Sequence, residues 1–298
     1  MNYHLRTRVI GPAPELPLSA EQFQRAKITH GVLVASFALE ETFDLVLSNY
    51  IEIEKDLLCA AVEEGTRTHY GYDDFFELRS TINRRVVNLL TATRLYLDQA
   101  PQHLATCTAN DDIARKSLKA QTAKHYDSCL SYRLLEALRN HVQHSGLAVH
   151  RLSINNKWVG EPKAQNLHVS IQPFTSRRYL EADGKFKKSV LSELPAEIDI
   201  AQAIREYLER LGDIHKLMRT LVAPHALHAR SIIQSHIDQY ARANNDQTVG
   251  LAAIRTDTSG CVEEVPIFLA WDDVRLKLVA RNSTLGALAK RAISGRPQ

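Results

Sequence analysis

Six consecutive residues, from Arg139 to His144, carry side chains that suit the chemistry of a phosphodiester. The guanidinium of Arg139 is a permanent cation whose fork matches phosphate oxygens, and the imidazole of His144 can move protons near neutral pH. Asn140 lies four residues before His144, so the two side chains share one face if the segment is helical. His141 is a further imidazole, and Gly146 is a helix-stop signal. The segment predicts a phosphate-binding group and a proton-transfer group at a helix end.

The interval between arginine and histidine is not informative by itself. The same loose interval of four to six intervening residues occurs at Arg25 and His30, at Arg219 and His225, and at Arg230 and His236. Three features distinguish the segment at Arg139: the adjacent amide of Asn140, the helix end at Gly146, and an apolar stem before it. The stem has helical spacing and consists of Leu130, Leu134, Leu135 and Leu138.

Helices are the elements that must position this segment. Residues 1–18 are rich in proline and predict an extended lead-in. Apolar residues then recur at helical spacing over three stretches. The predicted helices run from the N-cap Ser19 to about Ala61, from Phe75 to Gln99 with Pro101 as the stop, and from Asp111 and Asp112 to His144 with a break. Long antiparallel helices of this kind form a bundle.

The pattern changes after Gly146, where alternating apolar residues indicate strands. The first predicted strands cover 148–154 and 167–174, with a turn at Asn155 and Asn156, and a hairpin over 178–191 is centred on Asp183 and Gly184. A helix over 198–244, broken at Pro224, follows. The remainder is predicted to form strands over 248–280 around Ser259 and Gly260, and a short helix after Ser283. We therefore expect a mainly α protein with β-hairpin decorations in its C-terminal half. The expected division is a helical core at 19–146, with 147–298 packed on it or forming a second small domain.

Composition sets mild bounds on the class of protein. A net charge of +3 permits a nucleic-acid partner without arguing for one. No apolar run reaches the length of a membrane span, and no secretory leader is recognisable, so we expect a cytoplasmic protein with no membrane partner. The four cysteines lack metal-ligand spacing and are expected to be reduced thiols. No cofactor-binding motif is found, so neither a cofactor nor a metal is expected.

The segment from Leu138 to His144, late in a helical unit, resembles the HEPN superfamily, whose signature is an arginine, a polar residue, and a histidine four to six positions further on. The resemblance covers residues 20–150. It implies a HEPN-like antiparallel bundle and a metal-independent endoribonuclease. A toxin or defence setting is the biological context that the resemblance implies. Some members carry a tyrosine two positions after the histidine, where this chain has Gly146. Control of the protein through that tyrosine is therefore not expected.

The resemblance also implies roles for the residues of the motif. Arg139 would bind the scissile phosphate, His144 would act as general acid or base, and Asn140 would orient both. His141 would support the cleft or lie exposed. The products would be a 2′,3′-cyclic phosphate and a 5′-hydroxyl. RNA is the implied substrate, a homodimer is the implied assembly because two motifs meet in one cleft, and a protein regulator or antitoxin is a further expected partner.

Two other interpretations of the motif stay open. The arginine and the histidines at a helix end can simply satisfy terminal carbonyls and the helix dipole. The chain can also be a non-catalytic module of the same family that binds RNA or a protein partner.

Other groups of residues have plain structural explanations. His225, His228 and His236 are expected to be surface or interface histidines rather than metal ligands, since no acidic or cysteine ligand accompanies them at a recognised spacing. The basic stretch 177–188 is expected to be a solvated hairpin, although its interleaved aromatic residues would also suit RNA. Glu40 and Glu41 are expected to form a solvated helix face.

Overall fold

A computed structural model describes residues 1–9, 11–67, 71–162, 165–182, 184–258, 260–282 and 285–291. The chain is mainly helical and carries small antiparallel sheets, as the sequence predicts. The described helices are α1 (Ala20–Glu64), α2 (Tyr72–Cys107), α3 (Asp112–Ser128), α4 (Leu130–His144), α5 (Arg177–Ala182), α6 (Lys188–Leu191), α7 (Ile200–Ala243) and α8 (Ala270–Arg281). The strands are β1 (Asn2–Thr7), β2 (Leu16–Pro17), β3 (Arg151–Val159), β4 (Asn166–Ser176), β5 (Glu197–Asp199), β6 (Leu251–Asp257) and β7 (Gly260–Pro266).

The chain forms two compact units, and each combines segments that are distant in sequence. Unit 1 comprises Met1–Glu41, Asp98–Leu118 and Lys216–Ser283, and unit 2 comprises Thr42–Leu97, Lys119–His215 and Thr284–Gln298. Unit 2 runs without interruption through residue 146. The division of the chain at that residue stays a prediction.

Unit 1 contains a four-stranded antiparallel sheet in the order β2-β1-β6-β7. Leu5 of β1 pairs with Ala253 of β6, and neither residue is exposed to solvent. The prediction of an extended lead-in before Ser19 was therefore incomplete, because β1 is a sheet strand whose partner lies about 250 residues further along the chain. Pairing over such a distance leaves no mark on the local sequence pattern.

The start of α1 is confirmed in detail. The Ser19 hydroxyl accepts the backbone N–H of Gln22 at 3.0 Å, and the Gln22 side chain accepts the backbone N–H of Ser19 at 2.8 Å. This reciprocal capping box satisfies two backbone donors that the first helical turn would otherwise leave unpaired.

Two prolines lie inside helices of unit 1, so the predicted helix stop at Pro101 and the predicted break at Pro224 were wrong. A proline in a helix removes one hydrogen bond and costs about 3 kcal/mol. Apolar residues continue to be buried beyond each proline, among them Leu104 after Pro101 and Ala226 after Pro224. Burial of these faces offsets the cost, and both helices continue.

Unit 2 contains a three-stranded antiparallel sheet in the order β3-β4-β5. The predicted turn at Asn155 and Asn156 was wrong, because both residues lie within β3 and pair with Ser170 and Val169 of β4. The connection to β4 comes later, after Gly160, which has a positive φ of 119°.

The predicted hairpin over 178–191 was also wrong. The segment forms the short helices α5 and α6 instead of two strands. The hairpin turn was expected at Asp183 and Gly184. Gly184 has a positive φ of 64°, and Asp183 lies outside the described residues. Leu180, Phe186 and Val190 are buried and anchor the segment.

The C-terminal strands were predicted in part. β6 and β7 pair as expected, although Ser259 of the predicted turn lies outside the described residues. The region from Ala270 onward is α8 rather than strand, and the predicted short helix is a 3-10 turn at Leu288–Lys290. The cysteines Cys59, Cys107, Cys129 and Cys261 are all free thiols. None of the described helices is both long and apolar enough to cross a membrane.

Candidate functional site

The helix that carries the motif is α4, and three of the four leucines of its predicted apolar stem are buried. Leu134, Leu135 and Leu138 are at most 1% exposed, whereas Leu130 is half-buried. The break between α3 and α4 falls at Cys129, which has extended backbone angles. At the other end, the N–H of Ser145 donates to the carbonyl of His141 at 2.8 Å. The stem fixes α4 in unit 2 and leaves its polar C-terminal turn at the surface.

Asn140 and His144 line one open cleft of about 570 Å³ within unit 2, which we call the motif cleft. Both residues are exposed. Its complete lining consists of Tyr126, Arg133, Glu136, Ala137, Asn140, His141, His144, Ser145, Lys185, Phe186 and Lys187. The helical spacing of Glu136, Asn140 and His144 explains why one face of α4 forms one wall.

The facing wall comes from the segment between α5 and α6. Phe186 is 5% exposed, and its ring packs edge-on against the His141 imidazole with the two centroids 5.9 Å apart. Lys185 and Lys187, on either side of it, are exposed. The buried phenylalanine thus holds two ammonium groups at the motif cleft. The sequence identified both lysines as part of a basic stretch but placed them in a hairpin.

The charged residues of the motif cleft differ in how far they are neutralised. Arg133 donates to the Glu193 carboxylate at 2.6 Å, and Glu136 accepts the Tyr207 hydroxyl at 2.5 Å. Lys187 contacts the Tyr126 hydroxyl and lies 4.9 Å from the centre of that ring. Neither Lys185 nor Lys187 forms an ion pair with a carboxylate among the described residues. The lysine wall is therefore the cationic side of the cleft.

Arg139 contacts the motif cleft through Asn140 and is not part of its lining. Its Nη1 donates to the Asn140 Oδ1 at 3.0 Å. Its Nε is buried and has no hydrogen-bond partner in the described part of the chain. Arg139 is therefore hydrogen-bonded to Asn140, and Asn140 shares the motif cleft with His144, but Arg139 and His144 do not line the same cavity of one chain.

His141 is 6% exposed and lines the motif cleft, so it does not lie exposed. Its role as a support of the cleft stays a prediction. A Cβ atom added at Gly146 would lie 3.0 Å from the His141 Nε2, closer than almost all real contacts of this kind. Gly146 has no positive φ. The glycine is therefore needed for the close approach of the imidazole and not for a left-handed helix stop.

Asn83 on α2 fixes the chain just after the motif, and sequence reasoning missed it. Its side-chain amide donates to the carbonyl of Val149 at 2.9 Å and accepts the N–H of Val149 at 2.8 Å. Asn83 is 3% exposed. A polar residue three positions before the inward-facing Val86 was the available signal, because a buried amide needs partners.

His150 ends this fixed segment. Its Nδ1 accepts the backbone N–H of Ser176 at 3.1 Å, and its ring stacks on Tyr179 with centroids 4.7 Å apart. Burial lowers the pKa of His150 below its usual value.

The remaining candidates are explained by packing and ion pairs. His225 and His228 are exposed and His236 is buried, and the described residues contain no group of three His, Cys, Asp or Glu side chains placed to hold a metal. Glu40 is 3% exposed and accepts two hydrogen bonds from Arg219, at 2.8 and 2.6 Å. The expectation of a solvated face at Glu40 was wrong, because that side of α1 packs against α7.

Comparison of the chain with protein-family models, with curated proteins and with solved structures gave no match. The class that the fold itself defines is a mainly helical protein with small antiparallel sheets.

Proposed function

We propose that this chain is a metal-independent endoribonuclease of the HEPN type that cleaves RNA at the motif cleft. The observation that carries the proposal is the position of His144, an exposed imidazole that shares an open cleft with Asn140 opposite two lysines. An imidazole near a phosphate-binding wall is the arrangement that proton transfer during phosphodiester cleavage requires. A toxin or defence setting belongs to the same proposal and rests on the resemblance alone.

In the proposed reaction the ribose 2′-oxygen attacks the phosphorus while the bond from phosphorus to the 5′-oxygen breaks. A neutral His144 imidazole accepts the proton of the 2′-hydroxyl, or a protonated one donates a proton to the leaving 5′-oxygen. Arg139 and the lysine wall stabilise the negative charge that builds up on the phosphate oxygens. The products are a 2′,3′-cyclic phosphate and a 5′-hydroxyl, and no water is consumed.

A homodimer is part of the proposal. In one chain Arg139 contacts Asn140 but does not line the cleft that holds His144. A second chain would bring its own motif to the cleft and would supply both an arginine and a second imidazole.

The cleavage experiment uses a single-stranded RNA in EDTA and analyses the ends of the products. We expect cyclic phosphate and 5′-hydroxyl ends from the unchanged protein. Loss of cleavage is expected in both Arg139→Ala and His144→Ala, with circular dichroism unchanged. Unchanged cleavage in either variant overturns the role given to that residue, and cleavage that disappears only because EDTA is present overturns the metal-independent mechanism.

Mixing the two inactive variants tests the dimer separately. If Arg139 of one chain serves His144 of the other, each mixed dimer contains one intact site of two. An equal mixture, in which about half of the dimers are mixed, then regains about a quarter of the activity of the unchanged protein. If each site uses both residues of one chain, mixing restores nothing. Sedimentation of the mixture shows whether mixed dimers have formed.

The second candidate function is a non-catalytic module that binds RNA or a protein partner. The observation that favours it is the hydrogen bond that holds Arg139 against Asn140, outside the lining of the cleft. This function predicts RNA binding without products, or no RNA binding at all, and full tolerance of His144→Ala. The cleavage experiment therefore separates the two functions.

A further inference from the structure

A second cleft in unit 2 collects exposed aromatic side chains. We call it the aromatic cleft; its volume is about 180 Å³. Tyr72 is 79% exposed, Phe75 44% and Phe76 51%, and all three lie in the first turns of α2. The full lining is Tyr72, Phe75, Phe76, Arg79, His150, Arg151 and Leu152. Aromatic rings gathered at the surface indicate a binding site, because a single exposed apolar residue is ordinary but a cluster is not.

The charges around the aromatic cleft favour an anionic partner. Two of the lining residues, Arg79 and Arg151, are cationic and none is acidic. The Arg151 guanidinium lies 4.5 Å above the centre of the Phe174 ring, and its Nε is 3.3 Å from the exposed Glu197 carboxylate. Arg79 donates weakly to the carbonyl of His150, at 3.4 Å. Both arginines line the cleft that holds the exposed aromatic rings.

A neighbouring cleft of unit 2 provides the contrast. It shares Phe75 with the aromatic cleft but is lined by five carboxylates, namely Asp56, Glu63, Glu64, Asp74 and Glu77. A polyanion would be repelled there and attracted to the aromatic cleft. Of these two clefts near the start of α2, the aromatic cleft is therefore the one whose charges favour an anionic partner.

The rings at the edge of the aromatic cleft already form a stack. His150 and Tyr179 are nearly parallel, with an angle of 25° between their planes, and Tyr179 is 60% exposed. Nucleobases stack on such rings whatever their identity, since every base has a flat π surface. A volume of about 180 Å³ suits a single flat ring and is below the roughly 300–1,000 Å³ of sites for whole drug-sized ligands.

The aromatic cleft is connected to the motif cleft through α5 and the segment that follows it. Tyr179 of α5 stacks on His150, which lines the aromatic cleft, and Lys185 and Lys187 after α5 line the motif cleft. The chain from His144 to His150 is fixed by the hydrogen bonds of Asn83 to Val149. A strand of RNA that places a phosphate in the motif cleft would therefore pass close to the aromatic cleft.

We propose that the aromatic cleft binds an unpaired base of single-stranded RNA beside the motif cleft, with Tyr72 and Phe76 as the stacking rings and Arg79 and Arg151 on the backbone. This inference rests on the proposed function for its substrate. It adds a preference for single strands, because a base in a duplex cannot enter the cleft without leaving its stack.

The experiment measures fluorescence polarisation of a labelled single-stranded 2′-O-methyl RNA of about 12 nucleotides, within the usual site sizes of such proteins. This probe lacks the attacking hydroxyl, so binding is read without cleavage. Phe76→Leu keeps an apolar side chain but removes the ring, and we expect a Kd about 5- to 100-fold weaker. Phe76→Trp should restore binding, and a duplex of the same sequence should bind more weakly than the single strand.

Phe268→Leu is the matched control. Phe268 is an exposed phenylalanine, at 46%, that belongs to unit 1 and does not line the aromatic cleft. The control should bind the probe as the unchanged protein does. Equal losses in Phe268→Leu and Phe76→Leu overturn the proposal, as does full binding by Phe76→Leu, which would assign the cleft to another partner such as a peptide.

The outcomes distinguish this inference from the proposed function. If the probe binds through Phe76 while unmodified RNA is never cleaved, the aromatic cleft stands and the nuclease fails. If RNA is cleaved with the same KM by the unchanged protein and by Phe76→Leu, the nuclease stands and the aromatic cleft fails. Failure of the probe to bind the unchanged protein overturns the inference.

Discussion

The three arginine and histidine pairs of unit 1 and the one pair of unit 2 have a similar spacing in sequence, but their surroundings differ. In unit 1, Arg219 forms a two-pronged ion pair with Glu40, and Arg230 forms ion pairs with Asp272 and Asp273 at 2.6 Å each. In unit 2, Arg139 has no carboxylate partner among the described residues and donates to an amide. The guanidinium groups of Arg219 and Arg230 are therefore occupied by carboxylates, whereas that of Arg139 is not.

The histidines of the two units differ in the same way. His236 is 9% exposed, and His30 packs edge-on against Trp271 with centroids 5.8 Å apart. Burial lowers the pKa of both. His144 lies exposed in an open cleft. In two pairs of unit 1 the histidines, His30 and His236, therefore pack against other side chains. Burial and ion pairing, and not spacing in sequence, distinguish a structural arginine and histidine pair from a candidate site.

The largest expected difference is in the free energy of unfolding when Arg219 and Arg139 are each replaced by alanine. Arg219→Ala leaves the Glu40 carboxylate buried without its partner, so we expect a loss of about 3–5 kcal/mol in the free energy of unfolding. Arg139→Ala removes no ion pair and should change this free energy by less than about 0.5 kcal/mol. Urea denaturation measures both values. Equal losses of unfolding free energy in the two variants would contradict the structural difference between the pair at Arg219 and the pair at Arg139.

Alanine substitutions at two glycines are expected to change the stability of the protein in opposite directions. Gly146→Ala pushes a methyl group against the His141 ring, so we expect a loss of about 1–3 kcal/mol in stability, together with reduced cleavage because His141 lines the motif cleft. Gly31, inside α1 of unit 1, has open space around it. Gly31→Ala should therefore stabilise the protein by about 0.5–1 kcal/mol. The free energies of unfolding of both variants test this, and a tolerated Gly146→Ala would contradict the close packing of His141.

The smallest expected effect concerns pH. The pKa of His236 is lowered in the folded protein by burial and by the charge of Arg25, so the unfolded chain binds more protons below the usual pKa of about 6.5. Folded stability is then full above that pH and falls as the pH decreases. We expect His236→Gln to reduce the drop in melting temperature between about pH 7.5 and about pH 5.5. An unchanged or larger drop would contradict the burial of this imidazole.

Local sequence patterns predicted the parts of the site that depend on local interactions. The leucine stem of α4, the break before it and the capping box at Ser19 each rest on residues within two helical turns of each other. The spacing of Asn140 and His144 predicted that they share one face of a helix, and both line the motif cleft from α4.

Contacts between distant residues could not be predicted in this way. β1 pairs with β6 across most of the chain, and Asn83 bonds to Val149 across 66 residues. The two prolines do not end their helices, because their local cost is outweighed by burial that only the folded units provide. The lysine wall was misplaced for a related reason, since a glycine turn within 178–191 suits two short helices as well as a hairpin.

The most direct test of the central claim is the rate of RNA cleavage by two matched variants, His144→Ala and His225→Ala. Both histidines are exposed and each follows an arginine, but His225 belongs to unit 1 and its arginine, Arg219, is bound to Glu40. The account predicts that His144→Ala lowers the rate by about 10²–10⁴-fold while His225→Ala leaves it unchanged. Equal rates in the two variants would contradict the assignment of His144 as the proton-transfer group.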